Sequence, residues 1–433
     1  MKFPRKTHWT KDIKPELDGQ EVTVCGWVWE IRDIGKIKFL VLRDREGFIQ
    51  ITAKRGEVPE EVLEIIKKLK KEDVIAVQGR VKASKIAKAG VEIIPSKIEI
   101  LNSVKMMPLD IWGEVESELG TRLRYRAADL KRPENLAIFK ISSTVVKAIR
   151  ETFYKHRFIE VFTPKIIVTC TEGGADLFEV TYFEHRAYLA QSPQLYKEQL
   201  TASLERVFEI GPAFRAEKHN TNYHLNEFIS VDAEAAFMDY MDIMNVLDDI
   251  ICSVYDTVRK VHDEELKILK VDLPQLKKPF RKITYDEAID MLKKRGLDVK
   301  YGEDIPHIGL EVLYEEIGEP FYIIDWPTDI RPFYTMPKED DESKSESFDL
   351  VIGGLEIASG STRIHKREML EEALRKRGLD PSAFQYHLEV YDWGMPPHAG
   401  FGLGLYRLLM VMLNRKNIRE VVLYPRDRFR LIP

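Results

Sequence analysis

Through the first hundred positions apolar residues alternate with polar ones in short runs. EVTVCGWVWEI (21–31), IKFLVLRD (37–44), GFIQIT (47–52), DVIAVQGRV (73–81) and VEIIPSKIEIL (91–101) carry the two-residue period of half-buried strands. Between the third and fourth, PEEVLEIIKKLKK (59–71) repeats its apolar residues at three- and four-residue spacing and predicts an amphipathic helix. Five short strands with a helix in that place is the order of an OB barrel, a fold that binds single-stranded nucleic acid by stacking bases on exposed aromatics. Trp27 and Trp29 alternate on the first strand, and Phe39 and Gln50 sit on the second and third, so each pair can share a face. For any one aromatic, packing in the core accounts for the pattern as well as stacking does.

The pattern changes after about residue 103. Residues 104–132 show no sustained period and read as a connector. From Pro133 a long amphipathic helix, ENLAIFKISSTVVKAIRETFYKHR, opens a region of alternating strands and helices that runs to residue 433. The expected organisation is an α+β chain with a barrel over 1–103, a connector over 104–132 and a larger domain over 133–433.

Charge sharpens this division. Residues 1–100 hold 21 Lys and Arg against 16 Asp and Glu, a net of +5, while the whole chain is −5, leaving −10 on the other 333. A basic barrel on an acidic body suits a small domain that touches a polyanion, and equally a solvated basic face. Cys25, Cys170 and Cys252 are odd in number and far apart, which argues against a disulfide framework or a four-cysteine zinc site. No stretch approaches the roughly 18 apolar residues of a membrane span, and the start lacks a signal-peptide core, so a cytoplasmic protein is expected.

Four segments of the larger domain carry candidate chemistry. VFEIGPAFRAEKHNTNYHLNEFISVDAEAAF (207–237) reads as two strands and a polar loop, with Arg215 and Glu217 on one face of the first strand and Ser230, Asp232 and Glu234 on one face of the second. YLAQSPQLYKEQL (188–200) reads as a strand entering a helix, with Ser192 as N-cap, Pro193 as first helical residue, and Gln194 and Lys197 on one face. ESFDLVIGGLEIASGSTRIH (346–365) reads as a hairpin turning at Gly353 and Gly354, whose limbs bring Asp349, Glu356 and Ser359 together as hard oxygen ligands suited to magnesium. Arg363 shares the parity of Ser359 and Ser361. In GFGLGLYR, Gly400, Gly402 and Gly404 alternate, so a strand there bares one face to a planar base while Phe401, Leu403 and Leu405 pack the other.

In this order, the segments resemble the three signature motifs of class II aminoacyl-tRNA synthetases: the helix followed by FIEVFTPKII, FRAE with its loop and return strand, and GFGLGLYR. TEGGADLF, QSPQLYK, SGSTRIH and GMPPHAGFGLG are similar to the aspartyl members of archaeal and eukaryotic type. The resemblance implies an N-terminal OB-fold anticodon-binding domain and a class II catalytic domain built on an antiparallel sheet flanked by helices. It implies activation of aspartate with ATP and Mg2+, transfer to tRNA(Asp) or also tRNA(Asn), and a homodimer through FIEVFTPKII including Pro164.

By matched position it implies that Arg215, Ala216, Glu217, Tyr223, His224, Leu225, Glu356, Gly404, Leu405, Tyr406 and Arg407 hold ATP, with Arg215, Glu217 and Arg407 as the groups nearest the reaction. Glu172, Gln194, Lys197, Arg215, Asp232, Ser359 and Arg363 would hold aspartate, with Lys197 and Arg363 on its side-chain carboxylate. Glu356 and Ser359, with Asp349 behind, would hold magnesium; Trp29, Phe39, Gln50 and Lys88 would meet the anticodon. Two cations converging on one pocket would be left partly unpaired by asparagine, which favours aspartate. Tyr406 departs from the acidic residue usual before the arginine of the third motif. An asparaginyl enzyme and a non-charging paralogue that binds nucleic acid through its barrel are the alternatives.

Overall fold

The computed structural model describes residues 5–87, 89–113, 115–168 and 177–433. They fall into two compact units, 1–116 and 117–433. In the first, strands β1 (Glu21–Ile34), β2 (Ile37–Arg43), β3 (Phe48–Lys54), β4 (Val74–Ala83) and β5 (Val91–Asn102) close a barrel in the order β1-β2-β3-β5-β4. Strand pleating sends Val22, Val24, Leu40, Leu42, Ile49, Ile51, Val77 and Ile93 inward, all buried, and leaves Phe39, Gln50 and Thr52 half-buried on the outer wall. Helix Glu60–Lys68 adds Val62, Leu63 and Ile66 to the same core.

Barrel curvature brings β1 and β2 so close that only glycine fits at one crossing. A Cβ on Gly26 would lie 2.2 Å from the carbonyl oxygen of Arg43. A bulge follows between Val28 and Glu30, which lets Trp27 and Trp29 flank the Arg43 guanidinium at 5.7 and 5.2 Å.

The second unit is built on eight strands. β6 (Ile159–Glu160), β10 (Arg206–Phe214), β11 (Glu227–Ala236), β12 (Arg281–Thr284), β13 (Phe321–Ile324), β14 (Ser347–Ile352), β15 (Leu355–Thr362) and β16 (His398–Gly404) lie in the order β12-β13-β14-β15-β16-β11-β10-β6. Strands β7 (Ile166–Ile167), β8 (Glu179–Tyr182) and β9 (His185–Leu189) form a separate small sheet. The large sheet is antiparallel through its middle and parallel only at its ends, β6 with β10 and β12 with β13.

One face of the sheet is covered by two long helices. Helix Pro133–Lys155 starts on proline, which has no amide hydrogen to leave unpaired, and buries Ile138, Ile141, Val145, Ile149 and Phe153 along one stripe. Phe153 stacks on Phe208 of β10 at 4.3 Å between ring centres and lies 6.2 Å from Phe401 of β16. Helix Tyr240–Val261 is capped by the Asp239 carboxylate, which accepts from the backbone amides of Met241 and Asp242. With apolar alternates committed to that core, the polar alternates of β11, β14, β15 and β16 face the other way, where the site forms.

Gly26→Ala tests the barrel crossing. We expect a loss of about 1–3 kcal/mol from overpacking, read as roughly 5- to 150-fold faster amide hydrogen exchange across β1 and β2; unchanged exchange would show that the strands separate without cost.

Candidate active site

Strand register lays one row of residues along the floor of the cavity and a second row beside it. Asp232 of β11 pairs with Gly402 of β16, Gly402 with Ser359 of β15, and Ser359 with Asp349 of β14. Two residues along, Glu234, Gly400, Ser361 and Ser347 form the second row. The glycines have different uses. Gly402 and Gly404 line the cavity, as the bared strand face predicts. Gly400 does not: a Cβ there would sit 2.1 Å from the Glu234 carboxylate, so this glycine makes room for a buried acid and is no part of a floor for a base.

Beneath the first end of the floor lies a cluster of four charges. Lys197 Nζ donates to Asp232 Oδ1 at 3.0 Å and to the Phe401 carbonyl at 3.0 Å, with Glu234 Oε2 at 3.4 Å. Arg363 Nε donates to Glu234 Oε1 at 2.9 Å, and its NH1 to Ser361 Oγ at 2.6 Å. Lys197, Asp232, Glu234 and Arg363 are all at most 4 % exposed. This corrects the charge argument made from sequence. The two cations converge, but Asp232 and Glu234 already neutralise them, so asparagine would not leave them unpaired.

At the other end Arg331, which the sequence reading missed, dominates. Its guanidinium holds both oxygens of Asp349, at 2.7 and 3.1 Å, and NH2 also donates to Ser359 Oγ at 3.1 Å. Asp349 was expected to face Glu356 across the hairpin, but the two-residue turn at Gly353 and Gly354 pairs Glu356 with Val351, and the bulge between Leu350 and Val351 then sets Asp349 opposite Ser359. Arg407 NH1 lies 3.6 Å from Glu356 Oε2 and donates to the Glu356 carbonyl at 3.1 Å. Burial and the nearby Asp349 push the Glu356 carboxyl up, and Arg407 and Arg331 oppose that. Asp304 is raised in the same way by burial and Asp349.

Among the described residues no three His, Cys, Asp or Glu side chains converge as a metal cage. Two hard oxygens facing a cavity, Glu356 and Ser359, fit a magnesium ion that keeps its waters or bridges phosphates. Crowded carboxyls with raised proton affinity are what a cation relieves. Asp349 fits less well than expected, because Arg331 occupies it.

The wall over the floor comes from the loop joining β10 and β11. Arg215 and Glu217 lie just beyond β10, which ends at Phe214, although the sequence pattern put them within the strand. They are fixed by Asn226, whose side-chain amide donates to the carbonyls of Arg215 at 2.7 Å and Glu217 at 3.0 Å. Helix Gln194–Leu204 begins one residue later than expected. Pro193 takes the cap position and Ser192 Oγ accepts from the Gln194 amide at 3.3 Å.

Of the residues named from sequence, Arg215, Glu217, Tyr223, His224, Leu225, Glu356, Gly404, Tyr406 and Arg407 line this cavity, as do Gln194, Asp232, Asp349, Ser359 and Arg363. Lys197 lies under the floor. Ala216 and Leu405 do not line it, Leu405 being buried in the core behind. Tyr406 packs against the same core, and burial followed by nearby Glu227 raises its hydroxyl pKa. Glu172 and Lys88 fall outside the described residues. In the barrel, Phe39 pairs with Thr52 and so shares the outer face with Gln50, whose Nε2 donates to Thr52 Oγ1 and Glu92 Oε2. Trp29 packs edge-on against Phe48.

A polar cavity with arginines at both ends on an antiparallel floor, joined in sequence to an OB barrel, fits a nucleotide-dependent ligase that handles nucleic acid. Residues 118–428 match the model of class II tRNA synthetases (D, K and N) and residues 22–101 that of the OB-fold nucleic acid binding domain; the chain belongs to this synthetase family. It is 56 % identical to an aspartate–tRNA(Asp) ligase of Pyrobaculum aerophilum over 100 % of both chains. It is 49 % identical to an aspartate–tRNA(Asp/Asn) ligase of Methanocaldococcus jannaschii over 99 % of this chain and 98 % of that one. Its structure is similar to that of asparaginyl-tRNA synthetase from Pyrococcus horikoshii complexed with asparaginyl-adenylate, with TM-score 0.94, 36 % identity and 100 % of both chains covered.

His224 gives the site a pH signature. Burial, then Arg407 and Arg215, push its imidazole down to about 4. From its ordinary 6.5 down to 4, the unfolded chain binds a proton that the folded loop refuses, so the loop loses stability as pH falls through that window. We expect the His224 ring to titrate near 4 by NMR; a midpoint at the ordinary value would place it in water, away from the arginines.

Proposed function

We infer that the protein is an ATP-dependent aspartate–tRNA ligase: it joins L-aspartate to AMP, releases pyrophosphate, and transfers the aspartyl group to the 3′-terminal ribose of tRNA(Asp), or also of tRNA(Asn). The observation that carries this reading is full-length identity of 49–56 % to ligases of that printed activity, together with a cavity that holds basic groups where such substrates would lie. Similarity of fold does not choose the amino acid, since an asparaginyl enzyme is also close. The choice of aspartate therefore rests on the full-length relatives, and Lys197 and Arg363, although already shared with Asp232 and Glu234, are donors from which a substrate carboxylate can accept.

In the first step the aspartate α-carboxylate attacks the α-phosphorus in line as the bond to pyrophosphate breaks. Arg215 sits on the loop wall to steady the carboxylate and α-phosphate; Arg407, beside Glu356, holds the far phosphates of a bent chain. Glu217 and the bare backbone at Gly402 and Gly404 receive the adenine. Glu356 and Ser359 would hold magnesium, which supplies charge neutralisation of the phosphates. Asp232, which accepts from Ser230 Oγ at 2.6 Å, and Gln194 are placed to meet the ammonium group. Transfer to the ribose hydroxyl needs no protein nucleophile.

The barrel, with Phe39 and Gln50 side by side, reads the anticodon by stacking and hydrogen bonding. Phe162 and Val168, 80 % and 82 % exposed near Pro164, support burial of that segment in a homodimer. No helix among the described residues is long and apolar enough to cross a membrane, which suits work in the cytoplasm beside the translation machinery.

Aspartate-dependent exchange of pyrophosphate into ATP tests the first step, and stronger exchange with asparagine would overturn the choice of amino acid. Aspartylation of the two tRNA transcripts then settles their relative use. Phe39→Ala should weaken charging by roughly tenfold or more, the loss of a base-stacking contact, with exchange near normal; equal loss in both assays would refute the anticodon role.

A further inference from the structure

Behind the cavity floor lies a buried polar group that none of the chemistry above uses. Glu198, one residue after Lys197 and one helical turn after Gln194, is fully buried. One oxygen accepts from Gln194 Nε2. The other lies 3.1 Å from the donating hydroxyl of Tyr391 and 3.3 Å from His387 Nε2. His387 is itself oriented: Gln199 Nε2 lies 3.2 Å from Nδ1. An amide that donates to Nδ1 leaves the ring proton on Nε2, facing Glu198.

A buried carboxylate is costly unless fully hydrogen-bonded, and a glutamine of the same shape would avoid most of that cost. What the charge provides is direction. A carboxylate only accepts, so the Gln194 amide has one allowed orientation, with nitrogen toward Glu198. Gln194 lines the cavity, and with its nitrogen committed it offers its carbonyl oxygen there.

We propose that Glu198, held by Tyr391 and His387, is a positioning residue that locks the Gln194 side chain with its carbonyl oxygen turned into the cavity as an acceptor for the substrate ammonium group. This rests on the functional reading above and names a determinant of amino-acid binding within it. Burial alone would raise the Glu198 carboxyl, but the His387 hydrogen bond and the nearby Arg363 charge hold it down, so the lock is present throughout the neutral range.

A double-mutant cycle in the full-length protein tests the coupling, with pyrophosphate exchange giving KM and kcat for aspartate and KM for ATP. Glu198→Gln restores an ambiguous partner, and it should raise KM for aspartate roughly tenfold, with kcat and KM for ATP within about twofold. Placed on Gln194→Ala, the same change should add nothing, because the group it acts through is gone. Tyr391→Phe, which deletes only one hydroxyl, should give a smaller shift with the same dependence on Gln194 and serves if Glu198→Gln fails to fold. An unchanged KM for aspartate, or full additivity on Gln194→Ala, would overturn the proposal. Absence of aspartate-dependent exchange in the unmodified protein would instead remove the functional reading, and this proposal with it.

Discussion

Four charges buried at the base of the cavity constrain the rest of the catalytic unit. Lys197 comes from the helix after β9, Asp232 and Glu234 from β11, and Arg363 from the residue just beyond β15. Removing one partner of such a pair typically costs 3–5 kcal/mol, because the other is left charged in a poor solvent. The helix must therefore dock at one depth and one rotation. Gly400 must stay bare for Glu234 to lie flat, and β16 must run between β11 and β15 in the observed register. The aromatic core on the far face, with Phe153 against Phe208 and Phe401, secures the same strands from the opposite side.

The two ends of the cavity differ in electrostatic character. At the Lys197 end every charge has a close opposite, so the local sum is near zero and the site selects by hydrogen-bond type. At the Arg331 end three carboxyls crowd two guanidinium groups, and burial first and Asp349 second push Glu356 and Asp304 up. A small amino acid recognised through directed hydrogen bonds suits the first environment, and a polyphosphate that arrives with its own cations suits the second.

Much of this was legible in the sequence because it rests on period. The five barrel strands, the long helix from Pro133 and the glycine-bearing strand follow from alternation and spacing, and the elements form close to where the pattern put them. What escaped reading depends on contacts between distant segments. Arg331 sits in a loop, TDIRPFYT, with no period to mark it, and its value appears only once β14 and β15 bring Asp349 and Ser359 alongside. Glu234 was visible by parity, but nothing in the chain showed that Arg363, 129 positions away, would claim it. Gly400 looked like its neighbours at 402 and 404 until the acid beneath it was placed. A bulge between Leu350 and Val351 set Asp349 opposite Ser359, and single-residue offsets of that kind leave no mark on composition.

The close fit of Gly400 over Glu234 also limits how such a cavity can change. With 2.1 Å between a notional methyl and a carboxylate, the row behind the cavity has no slack, and no larger residue can enter it without displacing a charge. A row this tight fixes the strand register on which the cavity floor depends. Any remodelling of this protein toward bulkier or longer amino acids must therefore come from its walls, the loop around Asn226 and the segment around Arg331, where hydrogen bonds can be exchanged without re-threading the sheet.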